Sequence, residues 1–345
     1  MSLEHKELIN IEGKEIGGSR TFIIAEVGSN HRQDINIALD LIAAASESGA
    51  DAVKFQSVNI KELYHKPSAS IKKLHKQIDL NEKWHYDLKT YADKKGIVFF
   101  SSPTYIRAVD ILEEIGVKLY KLASAQLGTF PQIIKKVANC RKPTLISTGL
   151  VTYEELNKAI RVFHSVGNYE YIILHCNSIY PTPYDKVNLS MINVYENMFG
   201  NPVGFSDHTI GIHIAVAAVA KGAKVIEKHI KLDNKVDTPD SSISLDPKEF
   251  SKMVSNIRET EQSFEKKIRL YIEQEEQQFK EGILYRLILK CNKKRGEKFS
   301  ENDFIFKRNN NGIDCRDLDV LIERMVAKHD LKKNSLLMWD MLEGK

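Results

Sequence analysis

Cysteine is scarce. The 345 residues hold four, Cys140, Cys176, Cys291 and Cys315, and no two form a C-x-x-C pair. That argues against a thiolate zinc site or a disulfide framework, and it suits a reducing cytoplasm. No apolar run approaches a membrane span, and the polar start MSLEHKELIN is unlike a signal peptide. A cytoplasmic protein is expected. An excess of one charge is missing as well: 50 Lys and Arg against 46 Asp and Glu leave +4. This is too mild to imply a nucleic-acid or membrane partner. Internal repeats and low-complexity tracts are absent too.

What is present is alternation. Short β-branched runs fall at 22–27, 52–56, 97–102, 119–124, 144–149, 171–176, 202–207 and 224–230. Helical patterns such as INIALDLIAAASESGA, YEELNKAIRVFHSVG and GIHIAVAAVAKGA lie between them, several closed by glycine, as at Gly49, Gly116, Gly167 and Gly222. Strands alternating with helices specify a parallel sheet, and eight such units close an α/β (β/α)8 TIM barrel. A doubly wound open sheet would need G-x-G-x-x-G after its first strand, and that position reads AEVGSNHRQD. The predicted domains are a barrel over 1–265, a charged helical linker over 266–281, and a small turn-rich domain over 282–345.

In a barrel, reactive groups gather at the C-terminal strand ends. Here the first strand ends in Glu26, the second carries Lys54 and Gln56, and the third ends in Ser102. The fourth carries Lys121 and Ser124, the fifth Ser147, and the sixth is followed by Ser178 and Tyr180. The seventh gives Ser206 and then His208, and the eighth Glu227 and His229. Ionisable residues inside apolar strands are costly unless paired or functional. Two lysines with several hydroxyls describe an anion site, suited to a phosphate or a phosphate plus a carboxylate. The bland alternative is a salt bridge of Lys54 or Lys121 with Glu26 or Glu227. His208 and His229 can converge on one divalent ion, leaving positions for substrate and water. Two histidines among oxygen groups favour a borderline ion such as Mn²⁺ over a closed Zn²⁺ site; core histidines are the alternative. Glu26 is a proton carrier or an ion-pair partner. For His31, His175 and His213 a structural role is expected, and Asp207 should pair with a lysine or orient a neighbour.

The blocks FIIAEVGSNH, GADAVKFQ, FSSP, YKLAS, ISTG, LHCNSIYPTP, GFSDHT, GAKVIEKHI, TPDSSISLDP and KRNNNGI follow one another in this order. Together they resemble the sialic acid synthase family, which comprises the N-acetylneuraminate and other nonulosonic acid synthases. The resemblance runs from about residue 20 to 340. It implies a synthase barrel followed by a small antifreeze-like (SAF) domain, in a domain-swapped homodimer. It further implies condensation of phosphoenolpyruvate with the aldehyde of an N-acylated hexosamine, giving a nine-carbon 2-keto acid and phosphate. By resemblance, Glu26, His208 and His229 are catalytic, and the two histidines hold a divalent metal, Mn²⁺ first, with Mg²⁺ or Co²⁺ as alternatives. Lys54, Ser102, Lys121, Ser124, Ser147, Ser178 and Ser206 fall on the phosphoenolpyruvate side, and Gln56, Tyr180 and Asp240 on the sugar side. Arg308 would reach the partner's active site.

Departures from the family pattern matter most on the sugar side, although one, at Ser178, falls on the phosphoenolpyruvate side. Gln126 stands where a Glu is usual, Thr238 replaces a Gly, and Asn309 replaces a Pro. Arg32 and Gln33 replace small residues, and Ser178 an Asn. The expected acceptor is therefore N-acetylmannosamine or a related deoxy-diacetamido hexose. Two other readings are a metal-dependent lyase or isomerase of another sugar phosphate, and a non-catalytic sugar-binding homologue.

Overall fold

In this computed structural model, residues 5–233, 235, 237–264 and 269–345 are described. Strands β1 (Ile9–Ile11) and β2 (Lys14–Ile16) form an antiparallel hairpin. Eight parallel strands follow: β3 (Phe22–Glu26), β4 (Ala52–Ser57), β5 (Val98–Pro103), β6 (Tyr120–Leu122), β7 (Thr144–Ser147), β8 (Tyr171–Cys176), β9 (Val203–Asp207) and β10 (Val225–His229). Their ladder runs β5-β4-β3-β10-β9-β8-β7-β6, and β5 lies beside β6, so the sheet closes as a (β/α)8 barrel. All eight expected strands form. The fourth is shorter than its apolar run, because Ser124 opens the helix Ser124–Thr129 instead of ending the strand.

Side chains alternate across a strand, so each strand sends one row into the barrel and one toward the helices. The outward rows, with Ile23, Val53, Phe55, Ile146 and Ile226, pack in the strand–helix layer. The inward rows begin apolar: Phe22, Ile24, Ala52, Val98, Phe100, Leu145, Ile172, Leu174 and Val225 form one buried cluster. Ile9, Ile11 and Ile16 of the hairpin belong to that cluster. The hairpin thus plugs the N-terminal end of the barrel, a role the two three-residue strands do not advertise in sequence. Two residues further along the same rows stand Glu26, Lys54 and Glu227.

The helices start and stop by local chemistry. In Tyr153–Ser165, Thr152 and Glu155 exchange hydrogen bonds in a capping box, and Leu156, Ala159, Ile160 and Phe163 make the buried stripe. The chain then turns through Gly167 at φ +71°, the left-handed region that glycine enters freely. Among the described residues no helix is long and apolar enough to cross a membrane.

The chain divides into two compact units, Met1–Glu265 and Lys266–Lys345. In the second, β11 (Tyr285–Leu289) pairs antiparallel with β12 (Phe304–Arg308), and β13 (Met325–Ala327) with β14 (Leu342–Gly344). Leu287, Leu289, Phe304, Ile313 and Leu321 make its separate core. Of the expected linker helix, residues 266–268 lie outside the described residues, 269–273 have no regular structure, and Gln274–Gly282 is helical.

If the hairpin is a true plug, Ile11→Ala should destabilise the protein by about 2–5 kcal/mol, read from chemical or thermal unfolding. A loss well under 1 kcal/mol would make the hairpin peripheral.

Candidate active site

The inward rows that start apolar end polar, and their ends meet in one cleft at the C-terminal mouth of the barrel. It encloses about 250 Å³ and is lined by Glu26, Lys54, Gln56, Lys121, Ser147, Ser206, Glu227 and His229 from the strands. Ser124, Ser178, Tyr180 and His208 line it from the segments that follow.

Its floor is a cluster of four charges. Lys121 Nζ donates to both oxygens of Glu227, at 2.7 and 2.8 Å, and Ser206 Oγ donates to the same carboxylate at 2.9 Å. Lys54 Nζ lies 3.2 Å from Glu227 Oε1 and 3.2 Å from Glu26 Oε2. Each of the four residues is 3% exposed or less. The lysines are therefore salt-bridged and cleft-lining at once.

Burial works against all four charges, and the outcome depends on how many counter-ions each group meets. Burial raises Glu26 to about 7, which the attraction of Lys54 only partly offsets. Burial also lowers Lys121 to about 8, against the pull of Glu227. Glu227 goes the other way: despite burial, Lys121 and Lys54 hold it well below the usual carboxylate range. Lys54 is likewise held above the usual lysine range, because Glu227 and Glu26 outweigh its desolvation. Gln56 donates to Glu26 Oε1 at 2.6 Å, whereas Oε2 has no hydrogen-bond partner. Lys54 is near enough to attract Oε2 but is not aligned to donate to it. With Glu26 protonated the cluster carries one net positive charge, which favours an anion.

Beside this floor is a shelf of small polar groups. Ser124 Oγ accepts the Gly149 N–H at 2.9 Å and lies 3.3 Å from Cys176 Sγ. A β-carbon at Gly149 would stand 2.4 Å from Ser178 Oγ and 2.8 Å from Cys176 Sγ. Only glycine lets these groups converge.

The two histidines face each other with ring centroids 5.6 Å apart. His208 Nδ1 is 2.7 Å from the Asn177 carbonyl, which can only accept, so Nδ1 carries the proton and Nε2 a lone pair. Tyr180 stacks on that ring at 4.2 Å. His229 Nδ1 is buried without a hydrogen-bond partner, 4.0 Å from Asp240 Oδ2. Burial lowers both rings, His208 to about 4, so both are neutral and able to ligate. Among the described residues no group of three or more His, Cys, Asp or Glu is arranged to hold a metal ion. The orphaned Nδ1 and the neutral pair fit an ion whose other positions go to substrate and water.

The profile of the NeuB family matches residues 41–269. A protein of Methanocaldococcus jannaschii described as uncharacterized is 40% identical, over 98% of this chain and 99% of that one. The N,N'-diacetyllegionaminic acid synthase of Campylobacter jejuni is 35% identical, over 90% and 97%. This chain belongs to the NeuB family. The crystal structure of an N-acetylneuraminic acid synthetase from Leptospira borgpetersenii superposes with a TM-score of 0.73 at 33% identity, covering 79% of this chain and 95% of that one. Other family relatives are named pseudaminic acid synthase and N-acetylneuraminate-9-phosphate synthase.

Four expected residues lie outside the cleft lining. Ser102 is buried on β5 with its hydroxyl unpartnered. Gln126 is half-buried on the helix Ser124–Thr129. The Asp240 carboxylate is held by the backbone and hydroxyl of Ser29, both at 2.7 Å, and would lie 2.4 Å from a β-carbon at Gly28 (φ +52°). Arg308 is exposed in the second unit, its guanidinium 5.6 Å above the Tyr285 ring. His31 and His175 serve structure: the first accepts the Gln33 N–H at 3.0 Å, and the second bonds the Val187 carbonyl at 2.6 Å. Sequence reasoning placed Glu227 among the strand-end groups and as a salt-bridge partner but gave it no site role, and it did not assign Cys176 or Leu150 to the site. Strand parity was the available signal for Glu227, which stands two residues before His229 on the inward row.

Glu227→Gln would leave the buried Lys121 ammonium without its carboxylate and Lys54 with Glu26 alone, a loss on the order of 3 kcal/mol. Thermal unfolding checks this, and an unchanged melting temperature would deny Glu227 its central place. In metal-free protein the infrared band of a protonated carboxylic acid should disappear with a midpoint near pH 7 as Glu26 ionises. The same band persisting in Glu26→Gln would put that proton elsewhere.

Proposed function

We propose that this NeuB-family chain condenses phosphoenolpyruvate with the open-chain aldehyde of an N-acylated hexosamine, giving a nine-carbon 2-keto sugar acid and inorganic phosphate. The observation that carries the reading is the convergence of Lys54 and Lys121 on Glu227 beside two neutral, facing histidines. Its relatives named as synthases of legionaminic, pseudaminic and neuraminic acids favour it over a lyase, an isomerase or a non-catalytic binder.

Lys54 and Lys121 supply the point charges for phosphate and carboxylate, and Ser102, Ser124, Ser147, Ser178 and Ser206 supply hydroxyl donors around them. Carbon 3 of phosphoenolpyruvate forms the new bond to the aldehyde carbon, whose oxygen takes up a proton. Water adds at carbon 2, and the tetrahedral species expels phosphate by breaking its C–O bond. Glu26, near neutrality in its ionisation, holds or moves a proton at Oε2. Gln56 fixes the other oxygen and leaves Oε2 without a hydrogen-bond partner, 3.2 Å from Lys54 Nζ. Gln56, Tyr180, Gln126 and Asp240 are assigned to the sugar.

Family synthases depend on a metal. His208 and His229 would hold a divalent ion here, and that ion would polarise the aldehyde oxygen. Mn²⁺ suits two imidazoles completed by oxygen ligands, with Mg²⁺ or Co²⁺ as alternatives. We assign the second unit to the antifreeze-like class and read the assembly as a domain-swapped homodimer in which Arg308 contacts the partner's sugar. Four free cysteines fit a reducing cytoplasm.

Phosphate release from phosphoenolpyruvate, measured with Mn²⁺ across a panel of N-acetylmannosamine, its 6-phosphate and 2,4-diacetamido-trideoxy-hexoses, tests the reading. Release with one sugar, abolished by EDTA, is expected. His208→Ala or His229→Ala should lower that turnover at least a hundredfold, about 3 kcal/mol of lost polarisation. Wild-type rates in either variant would remove the metal assignment, and silence of the folded protein across the panel would count against the synthase.

A further inference from the structure

Behind the cleft, on the outward faces of β9 and β10, is an ion pair that the chemistry above does not use. Asp207 and Lys228 are direct partners in the parallel ladder, and neither side chain is exposed. Lys228 Nζ donates to Asp207 Oδ2 at 2.9 Å and to the Thr209 carbonyl at 2.6 Å. Asp207 Oδ1 accepts the Thr209 N–H at 2.8 Å.

Each member of the pair immediately precedes one cleft histidine: Asp207 before His208, and Lys228 before His229. Alternation sends the pair outward and the histidines inward. His229 is the last residue of β10, whereas His208 lies just beyond the end of β9. The backbone of His208 is therefore pinned on both sides, at Asp207 and at Thr209. Both pins run to Lys228, which sits on the strand of the other histidine.

As a source of stability such a pair is weak, since apolar residues of similar volume serve as well. As a spacer it has a use, because two ligands on neighbouring strands must be held at a fixed separation to share one ion. We propose that the Asp207–Lys228 bridge is a positioning device that sets the separation of His208 and His229 for a common divalent cation. The inference rests on the two-histidine metal reading given above.

The test is Mn²⁺ affinity by calorimetry, without phosphoenolpyruvate or sugar, together with melting temperature. Wild type, Asp207→Asn, the Asp207→Asn/Lys228→Met double variant and His208→Ala are compared in the full chain. The double variant leaves no unpaired buried charge, so its melting temperature should stay near that of wild type. Its Mn²⁺ dissociation constant should nevertheless rise at least tenfold, with Asp207→Asn rising less. Wild-type affinity in a folded double variant, while His208→Ala loses Mn²⁺, would overturn the positioning role alone. Undiminished Mn²⁺ binding by His208→Ala would overturn the metal reading and the positioning role with it.

Discussion

The structure turns on one carboxylate shared by two lysines. Glu227 binds Lys121 directly and lies 3.2 Å from Lys54, which reaches Glu26 on its other side. The four groups come from β10, β6, β4 and β3, so the cluster spans the barrel interior. β6 has no ladder to β5, and the Lys121–Glu227 bridge ties it across the mouth to β10. Such a cluster is an expensive way to hold a fold, because desolvating four charges offsets most of their attraction. It makes sense as an anion site kept ready, with the apolar layer and hairpin plug below excluding water and keeping the local dielectric low.

Much of this was legible in the sequence, for a physical reason. Parallel strands covered on both faces must be apolar throughout, so Glu26, Lys54, Lys121 and His229 stand out against their runs. The period of two then assigns them to one face. Glu227 obeys the same rule and was noticed, yet it received no site role, because a carboxylate beside lysines reads as their counter-ion. Its pairing geometry becomes visible only once β6 and β10 are brought across the barrel. The hairpin was hidden because three-residue strands carry no periodicity, and its isoleucines matter only through what they plug. The fourth strand was overextended because nothing in residues 119–124 marks the point after Leu122 where the backbone leaves to begin a helix.

Residues borrowed from the family pattern divide by their setting. Those on strands or directly at their ends reach the cleft, except Ser102, which is buried on β5. Gln126 and Asp240, in segments beyond the strands, stand outside its lining, and Asp240 is committed to Ser29. Most residues proposed for phosphoenolpyruvate stand on barrel rows fixed by alternation. Those proposed for the sugar, Gln56 apart, stand in segments beyond the strands, whose course short-range pattern does not dictate. Several departures from the family pattern, Gln126 among them, fall at or near the residues proposed for the sugar, while the charged floor keeps its pattern.

The central claim is that the shared-carboxylate floor is a phosphoenolpyruvate site. Calorimetric titration of phosphoenolpyruvate into wild type, Lys54→Met and Lys121→Met, with His208→Ala as a variant lacking a metal ligand, tests it most directly. The account predicts binding weakened at least tenfold by either lysine change and far less by the histidine change. Undiminished binding in both lysine variants would contradict it.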